Sequence, residues 1–298
     1  MMDGRQMNSP EHRLSGRTFW WLFRRAHVLA YQNNCFGTAK GAAYSALLSF
    51  FPLLTATATI LVQARAQPVS RLLSHALSEA VPPGTEELVL NHFRVHGQRP
   101  AGLLLGATLI SVWAASRVMT SLMDGFQAAY HIPAGRPFLR HQLVAILLVF
   151  AAAVPVAAAT SLILFGARTE RVVMQWLGVV PAGAELKPWV ALLGVVLRYL
   201  VALGTTVLVA ATLYYLGPNR AQRWAFVFPG AMVATALWLA ATLGFAWYVR
   251  NIADYNLLYG SIGAVIALLV WMYVLAAVAL IGGEFSAEYE RWRRGAAG

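Results

Sequence analysis

Few side chains in this sequence could do chemistry, and most of them are charges or hydroxyls set inside apolar runs. Arg198 is the deepest, about ten residues into the run Trp189–Leu216, or roughly 15 Å along a helix. A mid-membrane arginine costs at least about 2.5–3.5 kcal/mol on insertion scales, so something must compensate it. Two arrangements would do so: a cavity receiving an anionic group such as a lipid phosphate or carboxylate, or an internal pair or snorkelling to headgroups. Arg117 and Glu284 stand near the ends of two runs that cross in the same direction. Counting along the runs gives them a shared depth and predicts a pair, either a structural bridge or part of a gate, with Asp124 as an alternative partner. Ser45 and Ser49 are four apart and share a helix face. Pro52 frees the carbonyl near position 48, and a serine or water can satisfy it. Such a kinked, polar helix suits a pathway as well as plain packing. Asp254, with Asn251, Tyr255 and Asn256, would line an outer mouth or cap the last helix.

Enzyme signatures are poor. His92 and His96 are four apart, but no acid completes a His-Glu-x-x-His zinc pattern. Gly260-Ser261-Ile262-Gly263 lacks the spacing of a nucleophile elbow, and no glycine-rich phosphate loop carries a lysine. Cys35 is the only cysteine, which excludes an intrachain disulfide and a cysteine metal site. No catalytic residue, cofactor or metal is expected, and the chain reads as a non-enzyme.

The elements that position these residues are membrane helices. The chain has 298 residues, 59% apolar and only 12% charged, where globular chains carry about 25%. Its mean hydropathy is +0.59. Six runs are long enough to cross a bilayer: about Ala42–Val62, Ala101–Leu122, Leu143–Gly166, Trp189–Leu216, Trp224–Val249 and Gly260–Phe285. The last contains 24 charge-free positions, Gly260 to Gly283, which as a helix extend roughly 36 Å. Gly260, Gly263, Ala264 and Ala267 give it a small-residue face for close packing. None of the runs alternates with period two, which excludes a β-barrel. The expected fold is therefore all-α, a polytopic bundle of six transmembrane helices.

The formal net charge is +11. No basic stretch has the aromatic interleaving of an RNA-binding module, so nucleic acid is not an expected partner. Membrane lipids are, and Arg198 with the positive balance would suit an anionic lipid or small anion. The N-terminus, the second and fourth loops and the tail hold thirteen Lys and Arg, against eight in the opposite loops. The positive-inside rule puts both termini in the cytoplasm. Residues 1–16 are expected to be disordered. Phe19, Trp20, Phe23, His27 and Tyr31 recur at helical spacing with Arg24 and Arg25 between them, which predicts an interfacial amphipathic helix. Residues 17–290 form one domain. Its long outer loop, 63–100, holds two helical patterns broken at Val81-Pro82-Pro83-Gly84. Residues 291–298 read as a short basic tail.

The segment Lys40-Gly41-Ala42-Ala43-Tyr44-Ser45-Ala46-Leu47-Leu48-Ser49-Phe50-Phe51-Pro52-Leu53-Leu54 resembles the first-span motif of the YihY/virulence factor BrkB family. So does the stretch from Tyr259-Gly260-Ser261-Ile262-Gly263-Ala264 through Trp271-Met272-Tyr273 to Gly282-Gly283-Glu284. Trp113-Ala114-Ala115-Ser116-Arg117, followed by Gly135-Arg136-Pro137-Phe138, resembles its second-span region. The resemblance runs from about residue 30 to 290. It implies a six-span protein of the bacterial inner membrane, of a family once mislabelled ribonuclease BN and linked to serum resistance and export of envelope lipid precursors. It marks Ser45, Ser49, Pro52, Tyr259, Gly260, Ser261 and Glu284 as motif positions and assigns no catalytic residue. The expected function is a transporter or lipid translocator for an anionic or amphiphilic envelope substrate. The alternatives are a non-transporting scaffold for envelope assembly and, last, a membrane-tethered ribonuclease.

Overall fold

A computed structural model describes residues 15–63, 101–133, 135–176, 188–251 and 260–295. The outer-loop helices expected over 63–100, Asp254, Tyr259 and the N-terminal 14 residues lie outside the described residues. What is described is helical, without strands: α1 (Gly16–Gln32), α2 (Cys35–Gln63), α3 (Ala101–Ala129), α4 (Phe138–Trp176), α5 (Pro188–Leu216), α6 (Trp224–Asn251) and α7 (Gly260–Gly295). Among the described residues, five of these, α3 to α7, are long and apolar enough to cross a membrane. The first expected span lies in α2, which is not among the five. At 29 residues, α2 is still about 43 Å long, runs unbroken through Pro52, and packs along α3 and α7.

The helices close a ring. Each of α2 to α7 packs on the next, α7 returns to α2, and α7 also reaches across to α3. The ring is densest at one end. From Leu280 to Glu290 every residue of α7 is buried, so neighbours surround that segment on all sides. Around it stand Ala39 and Ala42 of α2, Leu122 and Phe126 of α3, Ala211 and Tyr214 of α5, and Val227, Ala231 and Ala234 of α6. Phe126 meets Tyr214 edge to face at 5.1 Å, and the Tyr214 hydroxyl donates to the Ala279 carbonyl at 2.7 Å.

Gly282 and Gly283 make this crossing possible. A Cβ on Gly282 would strike the Tyr214 hydroxyl and Ala234, and one on Gly283 would lie 2.7 Å from Phe126 Cδ1. Gly230 of α6 is equally hemmed in by Ser286 and the Gly282 carbonyl. Small residues let α6 and α7 approach closely, as they do where apolar burial supplies no drive between membrane helices.

Toward the other end the ring loosens. No described residue of α5 from Leu192 to Ala210 is buried. Only Gly194, Arg198, Ala202, Thr205, Thr206, Val207, Val209 and Ala210 are even partly covered there, most of them close to the dense end. The small-residue face expected on α7 is present: Gly263, Ala264 and Ala267 are buried while Ile262, Ile266 and Val270 face outward.

Candidate functional site

The dense end is built around three buried carboxylates of α7. Glu284, Glu288 and Glu290 are 0%, 2% and 2% exposed. Buried charge is tolerated only when paired and hydrogen-bonded, and each of these finds partners from other elements. Arg25 of α1 places Nε 2.7 Å from Glu288 Oε2. Arg291 Nη2 lies 2.6 Å from the other oxygen, as a close ion pair without hydrogen-bond alignment. Arg220, in the turn between α5 and α6, donates to Glu290 Oε1 at 2.6 Å, and Arg294 reaches the same oxygen at 2.5 Å. Asn33, at the α1–α2 turn, donates to Glu284 Oε1 at 2.7 Å, and the Cys35 thiol lies 3.5 Å from it. Burial foremost, then the Glu284 charge, pushes the Cys35 thiol up to about 12, so it remains a donor. Glu284 Oε2 is buried with no hydrogen-bond partner.

Arg136, and Arg291 again, tie helix ends into this cluster. Arg136 donates to the carbonyls of Leu216, Gly217 and Pro218, which satisfies the orphan acceptors at the end of α5. Burial, and after it the charge of Arg140, pulls Arg136 below the usual arginine range. Arg291 donates Nη1 to the Ala129 carbonyl at the end of α3. Arg220 also stacks over the Tyr130 ring at 4.8 Å. Thus α1, α3, α5, α6 and α7 are all bound at one end by a glutamate–arginine lock.

Between α2, α3 and α4 lies an apolar groove of about 340 Å³, open along its outer side. Its walls are Ser49, Leu53, Ser111, Ala115, Val118 and Ala152 with their neighbours. Neither serine offers a free donor to it: Ser49 Oγ donates to the Ala46 carbonyl at 2.8 Å and Ser111 Oγ to Ala107 at 2.6 Å. The groove can therefore take an apolar chain and offers little to a small polar solute.

The expected site residues separate under this geometry. Glu284 does not pair with Arg117. Phe126, which packs on Gly283, is nine residues from Arg117, about 13 Å along α3, and points to the opposite face. Arg117 instead lines an outward pocket with Asp124 and His141. Ser49 lines the apolar groove, while Ser45 is half-buried one turn away and Pro52 sits inside α2. Arg198 does not line that groove. Its side chain packs against Gly166 of α4, and its Nε donates to the Gly194 carbonyl at 3.2 Å. It stands 18 residues from the end of α5, about 27 Å along the helix from the end that Arg136 ties down. Ser261 opens α7, and its side chain lies outside the described residues.

Sequence reasoning misses Glu288, Glu290, Arg25, Arg220 and Asn33. Glu284 and Glu288 are four apart on one helix, a spacing that signals a shared face, yet Glu288 and Glu290 border the expected basic tail. That tail is in fact the continuation of α7 to Gly295. The amphipathic helix expected here is α1, and one of its faces packs on the bundle. Leu22, Ala26 and Ala30 are buried against the bundle, whereas Trp20, Trp21 and Tyr31 are exposed beside the arginines.

Comparison with known proteins agrees with this membrane architecture. The chain is 29% identical over 255 residues to a Bacillus subtilis (strain 168) protein named as ribonuclease-like, YfkH, covering 84% of this chain and 89% of that one. A UPF0761 membrane protein of Chromobacterium violaceum is 26% identical, over 91% of this chain and 64% of its own length. One from Alkalilimnicola ehrlichii is 27% identical, over 90% and 58%. The chain thus spans less than two thirds of these two relatives. No solved structure matches it. The model of the family described as virulence factor BrkB matches residues 29–298. A match over nearly the whole described bundle, joined to a multi-pass helical fold, makes this chain a member of the virulence factor BrkB family of integral membrane proteins.

Proposed function

We propose that the protein moves an amphiphilic, anionic lipid of the cell envelope. The observation carrying this reading is the apolar groove between α2, α3 and α4, whose hydroxyls are already spent on their own helices. A hydrated solute would lose its hydrogen bonds there, whereas an acyl chain would lose nothing. In this reading the lock closes one end of the ring, and the loosely packed half admits lipid from the bilayer. The arginine-rich closed end faces the cytoplasm of a bacterial inner membrane, by the positive-inside rule, and both termini lie on that side. The protein acts without chemistry on its substrate.

Reconstitution tests the reading. Vesicles containing the protein should move labelled anionic lipid between leaflets faster than empty vesicles do, and should not pass small anions. Equal rates in both vesicle types would remove its support. A scaffold for envelope assembly is the second reading, favoured by the absence of Arg198 from the groove walls and by the exposed aromatic side of α1. It predicts no lipid movement and stable capture of an envelope protein through Trp20 and Trp21.

A further inference from the structure

A second pocket, of about 440 Å³, opens on the outward side of α3 near its junction with α4. Arg117, Thr120, Asp124, Arg136, His141 and Gln142 line it. Gln142 donates to Ser116 Oγ at 2.6 Å, which sets Arg117 level with the first turns of α4 and therefore near the membrane surface. Arg136 is occupied by three carbonyls, and Asp124 lies 3.6 Å from His141 Nε2. Among the described residues no carboxylate forms an ion pair with Arg117. The pocket thus keeps a positive surplus, with hydroxyl, amide and carboxylate groups around it.

The same face of α3 continues away from the pocket as an apolar track. Trp113 and Leu109 stand four and eight residues from Arg117, about 6 and 12 Å deeper, and are 62% and 71% exposed. A cation at headgroup level above an exposed tryptophan and leucine matches the polarity profile of a phospholipid. We propose that this face binds an anionic phospholipid with a hydroxylated headgroup. Its phosphate lies on Arg117, its headgroup hydroxyls lie toward Asp124 and Thr120, and its chain follows Trp113 and Leu109. The site rests on the lipid-handling reading above and supplies a docking point from which lipid reaches the bundle.

Equilibrium binding tests the site without requiring movement, so it can fail while translocation survives, and the reverse. The full chain in mild detergent is titrated with phosphatidylglycerol, phosphatidylcholine and glycerol phosphate, and bound lipid is counted by native mass spectrometry. Phosphatidylglycerol should be retained over phosphatidylcholine. Arg117→Gln should lower its retention about tenfold, the scale of one charge-assisted phosphate contact. Arg117→Lys should restore part of it, and Trp113→Ala should weaken both lipids. Arg24→Gln, which removes an exposed arginine of α1, should change nothing. Full retention by Arg117→Gln overturns the proposal, as does an equal loss in Arg24→Gln, which would mean charge attraction alone. Displacement by glycerol phosphate at equal concentration overturns the lipid and assigns the pocket to a soluble anion.

Discussion

Removing Arg220 should cost more stability than removing Glu290, although the two form one ion pair. The asymmetry follows from burial: the Glu290 side chain is 3% exposed and that of Arg220 is 29% exposed. Arg220→Gln leaves a buried carboxylate whose one other cation among the described residues, Arg294, is 62% exposed and fixed from the solvent side. Breaking a fully buried pair from one side costs about 3–5 kcal/mol. Retention of Arg294 and the partial exposure of Arg220 reduce that to roughly 2 kcal/mol. Loss of the Arg220 stack on Tyr130 adds about 0.5 kcal/mol. Glu290→Gln removes the buried charge itself and leaves two arginines that reach water, so about 1 kcal/mol or less is expected. The assay is thermal unfolding of the detergent-purified protein, followed by loss of the monodisperse peak in size exclusion. Arg220→Gln should unfold several degrees below Glu290→Gln, and the double variant should resemble Glu290→Gln alone. Equal losses, or a larger loss for Glu290→Gln, would refute the reasoning that desolvation of the acid dominates this end.

Three further outcomes follow from the packing. Gly283→Ala should lose about 1–3 kcal/mol, since its Cβ meets the buried Phe126 ring at 2.7 Å, while Gly102→Ala, with nothing within 4 Å, should lose none; the same thermal assay compares them. Asn33→Ala should cost about 1.5–3 kcal/mol by stripping the amide donor from buried Glu284, and Asn33→Gln should recover little because the donor is displaced by one methylene. Purified protein incubated with RNA and divalent metal should cleave none of it, read on a denaturing gel against a nuclease standard.

The helices are legible because a membrane span announces itself in one dimension. Long charge-free runs can only be helices in lipid, so α3 to α7 follow from the sequence alone. Matching depth by counting residues works less well. It puts Arg117 opposite Glu284, but a count along two helices carries no information on which faces meet. Leu122 and Phe126 turn toward α7, and Arg117 turns away. The lock is hidden for a related reason. Glu288 and Glu290 lie beyond the apolar run, next to Arg291, Arg293 and Arg294, where local composition resembles a solvated tail. Only chain closure brings Arg25 from α1 and Arg220 from a distant turn onto them. The apolar groove is partly foreseeable, since Ser49 stands out in the sequence; its serines, however, bond their own helices and leave the wall apolar.

The central claim is that lipid passes through the groove between α2, α3 and α4, and filling the groove tests it most directly. Ala115→Phe adds a ring to a wall of a space of only about 340 Å³ and lies away from the lock. Wild type and variant, matched for unfolding temperature, are reconstituted at equal density and assayed for movement of labelled anionic lipid. Loss of most of the protein-dependent rate in Ala115→Phe is the expected result. An unchanged rate in a folded variant would contradict the claim.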